Sequence, residues 1–224
     1  MITLDGRLTE KFPDLEVVAL EINDVKVQKK SSALEHLKLE VAEEISRRYD
    51  LEALRNDERV RRYRDFFWRL GIDPTKNRPA SEALIRRVLQ GKPVPTINTA
   101  VDAYNLASMK HNVAIGSFDL DKFRGPLMMR WASPNEEFTG IGMNAPKILT
   151  GKEIVISDDE KLVAIYPYRD SDATKVTMQT SNVLSLMCGV PGIERGILRD
   201  AADTTITYIT QFCGGSGRTL GTTK

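Results

Sequence analysis

The chain has 224 residues, 41% of them apolar, and a formal net charge of +1. That is enough apolar material to bury a core, and it argues against disorder; with so small a net charge, partners must be read from local clusters of charge. Two cysteines, Cys188 and Cys213, and two histidines, His36 and His111, lie far apart without a CxxC pair, which argues against a disulfide framework or a zinc site.

The amino terminus carries charges where a secretory signal needs an apolar run, and no segment approaches the roughly 18 to 20 apolar residues of a membrane span. The expectation is a soluble cytoplasmic protein with no membrane partner. Val17 to Ile22 is a short β-branched run between Pro13 and Asn23-Asp24 and predicts a strand. Ser32-Ala-Leu-Glu35 has the form of a capping box, and Leu34, Leu37, Val41 and Ile45 follow at helical spacing, predicting a helix to about Arg48.

A second helix is expected from Leu51 to Leu70, with Val60, Tyr63, Phe67 and Leu70 as its apolar stripe and Gly71 and Pro74 as its stop. Arg55, Arg59, Arg62 and Arg69 fall on another face. Arginine forks onto phosphate oxygens, so this face is a candidate RNA-binding surface. Asp57, Glu58 and Asp65 are interleaved, however, and the same face reads equally as solvated charge paired at helical spacing.

Pro79 to Gly91 predicts a compact helix with proline near its start and glycine after its end. An extended connector follows, and Asn98 then suits the N-cap of a helix running to His111-Asn112. Beyond it the pattern turns to strands over Val113–Phe118, Leu127–Trp131, Glu153–Ile156, Leu162–Tyr166, Lys175–Met178 and Val183–Met187. A last helix is expected over Gly196–Phe212, with threonines that weaken its propensity, and the tail from Ser216 to Lys224 reads as frayed. The predicted fold is α+β: a helical amino-terminal third, then a strand-rich body closed by a carboxy-terminal helix. The expected division is 1–75, packed on a body at 76–215, and a tail at 216–224, the whole forming one compact unit.

Familiar catalytic spacings are missing: there is no GxSxG elbow, P-loop, GxGxxG or HExxH. No cofactor and no metal are expected. The candidate site lies instead in two polar stretches, Pro93 to Gly125 and Tyr166 to Thr180. In the first, Asn98 caps a helix, and Asp102 and Asn105, three apart, share one helical face and can present a polar pair to one cavity. In the second, Arg169, Asp170, Ser171 and Asp172 form a polar loop, which ordinary turn chemistry also explains.

These residues carry a resemblance. Pro95-Thr-Ile-Asn-Thr-Ala-Val-Asp-Ala-Tyr-Asn105, Ser117-Phe-Asp-Leu-Asp-Lys122, Gly151 to Asp159, Asp172 to Thr177 and Phe212-Cys-Gly-Gly215 follow one another in the order of the tRNA-editing domain of the bacterial phenylalanyl-tRNA synthetase beta subunit. The match runs from about Arg78 to Gly215 and leaves residues 1 to about 75 uncovered. The chain resembles a free-standing relative of that editing module, without room for the synthetase's other parts. The resemblance implies an aminoacyl-tRNA deacylase that hydrolyses mischarged esters, with aminoacylated tRNA as partner and an amino-acid-like group as ligand. It makes Asn98, Asp102, Asn105, Gly116, Arg169, Asp172 and Thr174 the expected substrate-binding residues. Asn105 stands at the family's helix asparagine, Asp172 at its loop glutamate, and Gly116 where the family has histidine. A non-catalytic RNA or amino-acid binding module that keeps the pocket is the alternative.

Overall fold

The β-branched run near the amino terminus and the apolar run near Val183 become neighbouring strands. The computed structural model describes residues 2–223. In chain order the elements are β1 (Ile2–Leu4), α1 (Gly6–Lys11), β2 (Val17–Asn23), α2 (Ser32–Arg48), α3 (Leu51–Asn56), α4 (Glu58–Arg69), α5 (Ala80–Leu89) and α6 (Thr99–His111). Then follow β3 (Ile115–Asp119), β4 (Leu127–Trp131), β5 (Glu137–Phe138), β6 (Lys147–Ile148), β7 (Ile154–Ser157) and β8 (Leu162–Ile165). The chain closes with β9 (Arg169–Asp170), β10 (Val183–Cys188), α7 (Arg195–Cys213) and β11 (Ser216–Thr223). This is the α+β arrangement expected.

One sheet has the order β1-β4-β7-β8-β9 and a second β11-β2-β10-β3, with β5 and β6 forming a short ribbon. Only β1 and β4 pair in parallel among the described strands. β3 and β10 are buried at every position and β2 at nearly every one, which explains why these segments read as continuous apolar runs instead of alternating ones. A core cluster joins both sheets to α1, α4, α6 and α7. A second cluster, of Leu34, Val41, Ile45, Leu54, Ile85 and Leu106 among others, ties α2 to α6.

Several expectations need correction. Ser31, not Ser32, caps α2: its Oγ accepts from the Leu34 N–H, and Glu35 turns to Lys38 instead of reaching back. The tail is not frayed: Ser216–Thr223 pairs with β2 as an edge strand, entered through Gly214 and Gly215, both at positive φ. Lys175–Met178 is not a strand; only an isolated bridge, Phe118 to Lys175, forms there. The threonines of α7 are accommodated because Thr205, Thr207 and Thr210 donate back to carbonyls four residues earlier at 2.7–2.8 Å.

The expected Leu51–Leu70 helix is two helices, broken at Asp57. Asp57 has an extended ψ of 133°, and its carboxylate accepts from the Arg59 and Val60 N–H groups, capping α4. The same carboxylate accepts from the Tyr49 hydroxyl at 2.8 Å and from Asn112 Nδ2 at 3.0 Å. One side chain thus joins the ends of α2, α4 and α6. Asp57→Ala is expected to cost about 2 kcal/mol or more, the upper range for a lost cap, because two further donors lose their acceptor. Urea unfolding measures it, and a loss under about 0.5 kcal/mol would show that the junction is held by packing alone.

Candidate functional site

α6 starts where it does because Asn98 is extended and its Oδ1 accepts from the Val101 N–H at 2.9 Å. Asn98 Nδ2 donates to the Val176 carbonyl at 3.4 Å, so the amino end of α6 rests on the segment after β9. The two polar stretches singled out in the sequence therefore lie side by side. Asn105 comes seven residues, nearly two full turns, after Asn98 and shares its helical face; it is half-buried, and its amide makes no hydrogen bond among the described residues.

Asp102 is placed differently. It is buried, and its two oxygens are taken by Lys38 Nζ at 2.7 Å and by the Ile97 N–H at 2.8 Å. Lys38 is itself buried and also donates to Glu35 and Thr96. The carboxylate that looked free to face a cavity is one half of an internal ion pair fastening α2 to the start of α6. Much of the polar density after it is satisfied in the same way: Ser117 Oγ bonds Ser185 Oγ at 2.7 Å, and Asp119 accepts from Thr180 Oγ1 at 2.8 Å.

Gly116 is the second residue of β3 and is buried. A Cβ there would come within 3.1 Å of Asp170 Oδ1 and 3.2 Å of the Phe118 ring. The carboxyl of Asp170, reaching over from β9 in the other sheet, thus fills the space that a side chain at 116 would need. The Asp170 carboxyl accepts no hydrogen bond among the described residues, although the residue's main-chain carbonyl takes the Ile141 N–H at 2.9 Å. Burial pushes its carboxyl up to about 7, with the Arg169 charge pulling the other way. Burial likewise raises the Tyr104 hydroxyl of α6, and the charges of Asp170 and Asp102 add to this; the Cys188 thiol of β10 is raised by burial and then by Asp170. The Asp170 carboxyl thus lies against Gly116 and within electrostatic reach of the Tyr104 hydroxyl, and among the described residues no hydrogen bond uses the side-chain oxygens of Asp170 or Tyr104. The thiol, pushed upward, is not a nucleophile.

The β9 loop places the remaining expected residues. Arg169 is exposed, lies over Gly140 and donates to the Ile141 carbonyl at 3.3 Å. Asp172 turns outward, about half exposed, and pairs with Lys175 at 2.7 Å. Thr174 is fully buried, and its Oγ1 has no hydrogen-bond partner among the described residues. Sequence reasoning placed the weight on Asp172 and took Asp170, two residues away, only as part of the polar loop; nothing local separates the two, since only the tertiary contact with Gly116 does. His111 is at the far end of α6 and bonds Thr204 at 2.7 Å. Among the described residues no group of three His, Cys, Asp or Glu side chains could hold a metal ion, and no helix is long and apolar enough to cross a membrane.

The break at Asp57 divides the four arginines between α3 and α4. Arg55 is on α3, across the break at Asp57. Arg59 donates to the His111 carbonyl at 2.9 Å, Arg62 pairs with Glu58 at 2.9 Å, and Arg69 stacks over the Phe12 ring at 4.6 Å. Each of these three has an internal partner of its own.

Comparison with known proteins bears on this geometry. Residues 62–214 match the model of a family described as the B3/4 domain, beginning inside α4, earlier than the resemblance read from motifs. The phenylalanine–tRNA ligase beta subunit of Fusobacterium nucleatum subsp. nucleatum is 36% identical over 87 residues, 39% of this chain and 11% of that protein. That of Geobacter metallireducens is 30% identical over 107 residues, 47% of this chain and 13% of that protein. The matched segment is thus a small fraction of these relatives' length. The crystal structure of an N-terminal fragment of the phenylalanyl-tRNA synthetase beta-subunit from Pyrococcus horikoshii superposes with a TM-score of 0.52 at 17% identity, covering 97% of this chain and 50% of that one. That likeness is one of fold.

Proposed function

The chain belongs to the B3/4 domain family, and from that premise we propose that it binds the aminoacyl end of a tRNA in trans and hydrolyses the ester of a mischarged amino acid. What carries the reading is the carboxyl of Asp170, lying against Gly116 with no hydrogen-bond partner beside the equally free Tyr104 hydroxyl. Both residues are half-buried, so water can reach these unspent polar groups, and a guest that displaces it is favoured where it offers partners of its own. Kinship to the phenylalanine–tRNA ligase beta subunits supplies the class of guest.

In this scheme Asn105 and Tyr104 hold the polar groups of the amino acid, and Asn98 fixes α6 against the loop that carries Thr174. A water attacks the ester carbonyl carbon, the bond from that carbon to the ribose oxygen breaks, and the ribose oxygen leaves with a proton. Asp170, with its carboxyl near 7, accepts the proton from the attacking water at neutral pH and returns it to the departing ribose oxygen. Arg169 and Asp172 lie at the rim, placed to meet the terminal nucleotide.

A panel of differently aminoacylated tRNAs incubated with the protein tests this by release of the amino acid. Release from at least one mischarged tRNA is expected, falling about tenfold or more in Asn105→Ala. Binding of the charged tRNA with no ester loss across the panel would sink the hydrolytic reading in favour of a non-catalytic binding module.

A further inference from the structure

We propose that the cleft on α5 is the docking surface for the phosphodiester backbone of an RNA. A cleft of about 320 Å³ is lined by Lys76, Arg78, Arg86, Arg87, Gln90 and Lys92, together with Ala83. Five of these side chains are cationic and none is acidic, in a chain whose total charge is only +1. All but the half-buried Arg86 are exposed.

Few carboxylates stand near these cations; Asp73, just before the stretch, lies within electrostatic reach of Lys76. Between Pro74 and Pro93 the sequence has one acidic residue, Glu82. It is 1% exposed, and its two oxygens are held by the Arg64 fork on α4 at 2.9 and 2.5 Å, with Arg78 no closer than 3.9 Å. Arg87 gives one N–H to the Pro93 carbonyl and keeps its terminal nitrogens free. Lys76, Arg86 and Lys92 have no ion pair among the described residues. Glycine at position 91, at a φ of +73°, turns the chain so that Lys92 comes back beside the last turn of α5.

The shape favours a strand of phosphates over a single anion. Arg86 also lines a neighbouring cleft of about 540 Å³ with Leu51, Glu52, Arg55 and Asn56, so the groove extends onto α3, where Arg55 adds a cation and Glu52 one opposing charge. Arginine forks match phosphate oxygens, and a row of them tracks a backbone without reading bases. Of the four arginines selected from the sequence, Arg55 alone belongs to this surface. The inference rests on the proposed function only for the identity of the RNA as a tRNA.

The experiment is fluorescence anisotropy of a labelled, uncharged tRNA transcript with the full chain, between about 50 and 200 mM salt, where each neutralised phosphate contributes to the slope of log affinity against log salt. The variant Arg86→Ala/Arg87→Ala/Lys92→Ala is expected to bind about tenfold or more weakly, with a salt slope flattened by about two, and with an unchanged melting temperature. Arg199→Ala, which removes an exposed charge from α7, is the control expected to keep wild-type binding. Wild-type affinity and slope in the triple variant overturn the inference. So does preferential binding of the wild type to phosphatidylserine vesicles, or displacement of the tRNA by low millimolar inorganic phosphate, which marks a single-phosphate site. Hydrolysis of aminoacyl-adenosine, too short to reach α5, separates the two proposals. Hydrolysis with tRNA binding insensitive to the triple variant removes the docking surface alone, whereas sensitive tRNA binding with no ester ever cleaved removes the hydrolytic reading alone.

Discussion

Lys38→Ala is expected to destabilise the protein by about 3–5 kcal/mol, the cost of leaving a buried charge without its partner. Asp102 is 1% exposed and would keep only the Ile97 N–H as a donor, while Glu35 and Thr96 also lose Lys38. The pair spans α2 and the first turn of α6, so its loss should also loosen the Asn98 cap and lower any activity of the site. Replacing both members, Lys38→Met with Asp102→Leu, should recover most of the stability, because desolvating two ions offsets much of what their attraction gives. Denaturant midpoints of the two single variants and the double variant form a thermodynamic cycle. A Lys38→Ala loss below about 1 kcal/mol would mean that water reaches the pair and that α2 is held by its apolar stripe alone.

That pair also shows how far the sequence could be read. Asp102 and Asn105 share a helical face by spacing, but spacing cannot say that a lysine from α2 occupies the aspartate. Elements with local signals were legible: α5 between proline and glycine, α6 behind its asparagine cap, and β2, β4 and β10 as apolar runs. The break at Asp57 was hidden because the apolar stripe and the charges continue across it, although aspartate before Glu58-Arg59-Val60 is itself a helix-start signal. β11 was illegible for a different reason. Ser216 to Thr223 is rich in glycine and threonine and gains its order from pairing with β2, a non-local contact. Of the site, the two facing stretches were legible from their polar composition and order. The contact on which the proposed chemistry rests, Asp170 over Gly116, joins two sheets and has no local trace.

Asp170 makes stability and activity depend on pH in opposite senses. Its folded carboxyl is raised to about 7 from 3.8 by burial, so the native state binds the proton more tightly than the unfolded chain does. Stability from this group is fully present below about 3.8 and is lost as pH rises through about 7. At about 1.4 kcal/mol per unit, full desolvation would be worth of the order of 4 kcal/mol, and water reaching the half-buried residue reduces this to about 2. Asp170→Asn, which keeps the shape without the charge, should therefore be more stable than the wild type at pH 8 and lack the fall between pH 4 and 7. Activity runs the other way. If the ionised carboxyl takes a proton from water, the deacylation rate should climb about tenfold per unit below pH 7 and level above it. Asp170→Asn should then lose about 10²-fold and the pH limb with it, the usual scale for a positioned general base. A rate that instead falls above pH 7 would make the protonated carboxyl a hydrogen-bond donor to the substrate. A flat profile with an active asparagine variant would remove Asp170 from the chemistry and leave attack to a water held by backbone groups. The two pH profiles thus report the same carboxyl, one through folding and one through turnover. A shared midpoint near 7 would tie the stability cost of burying Asp170 to the proton transfer it performs.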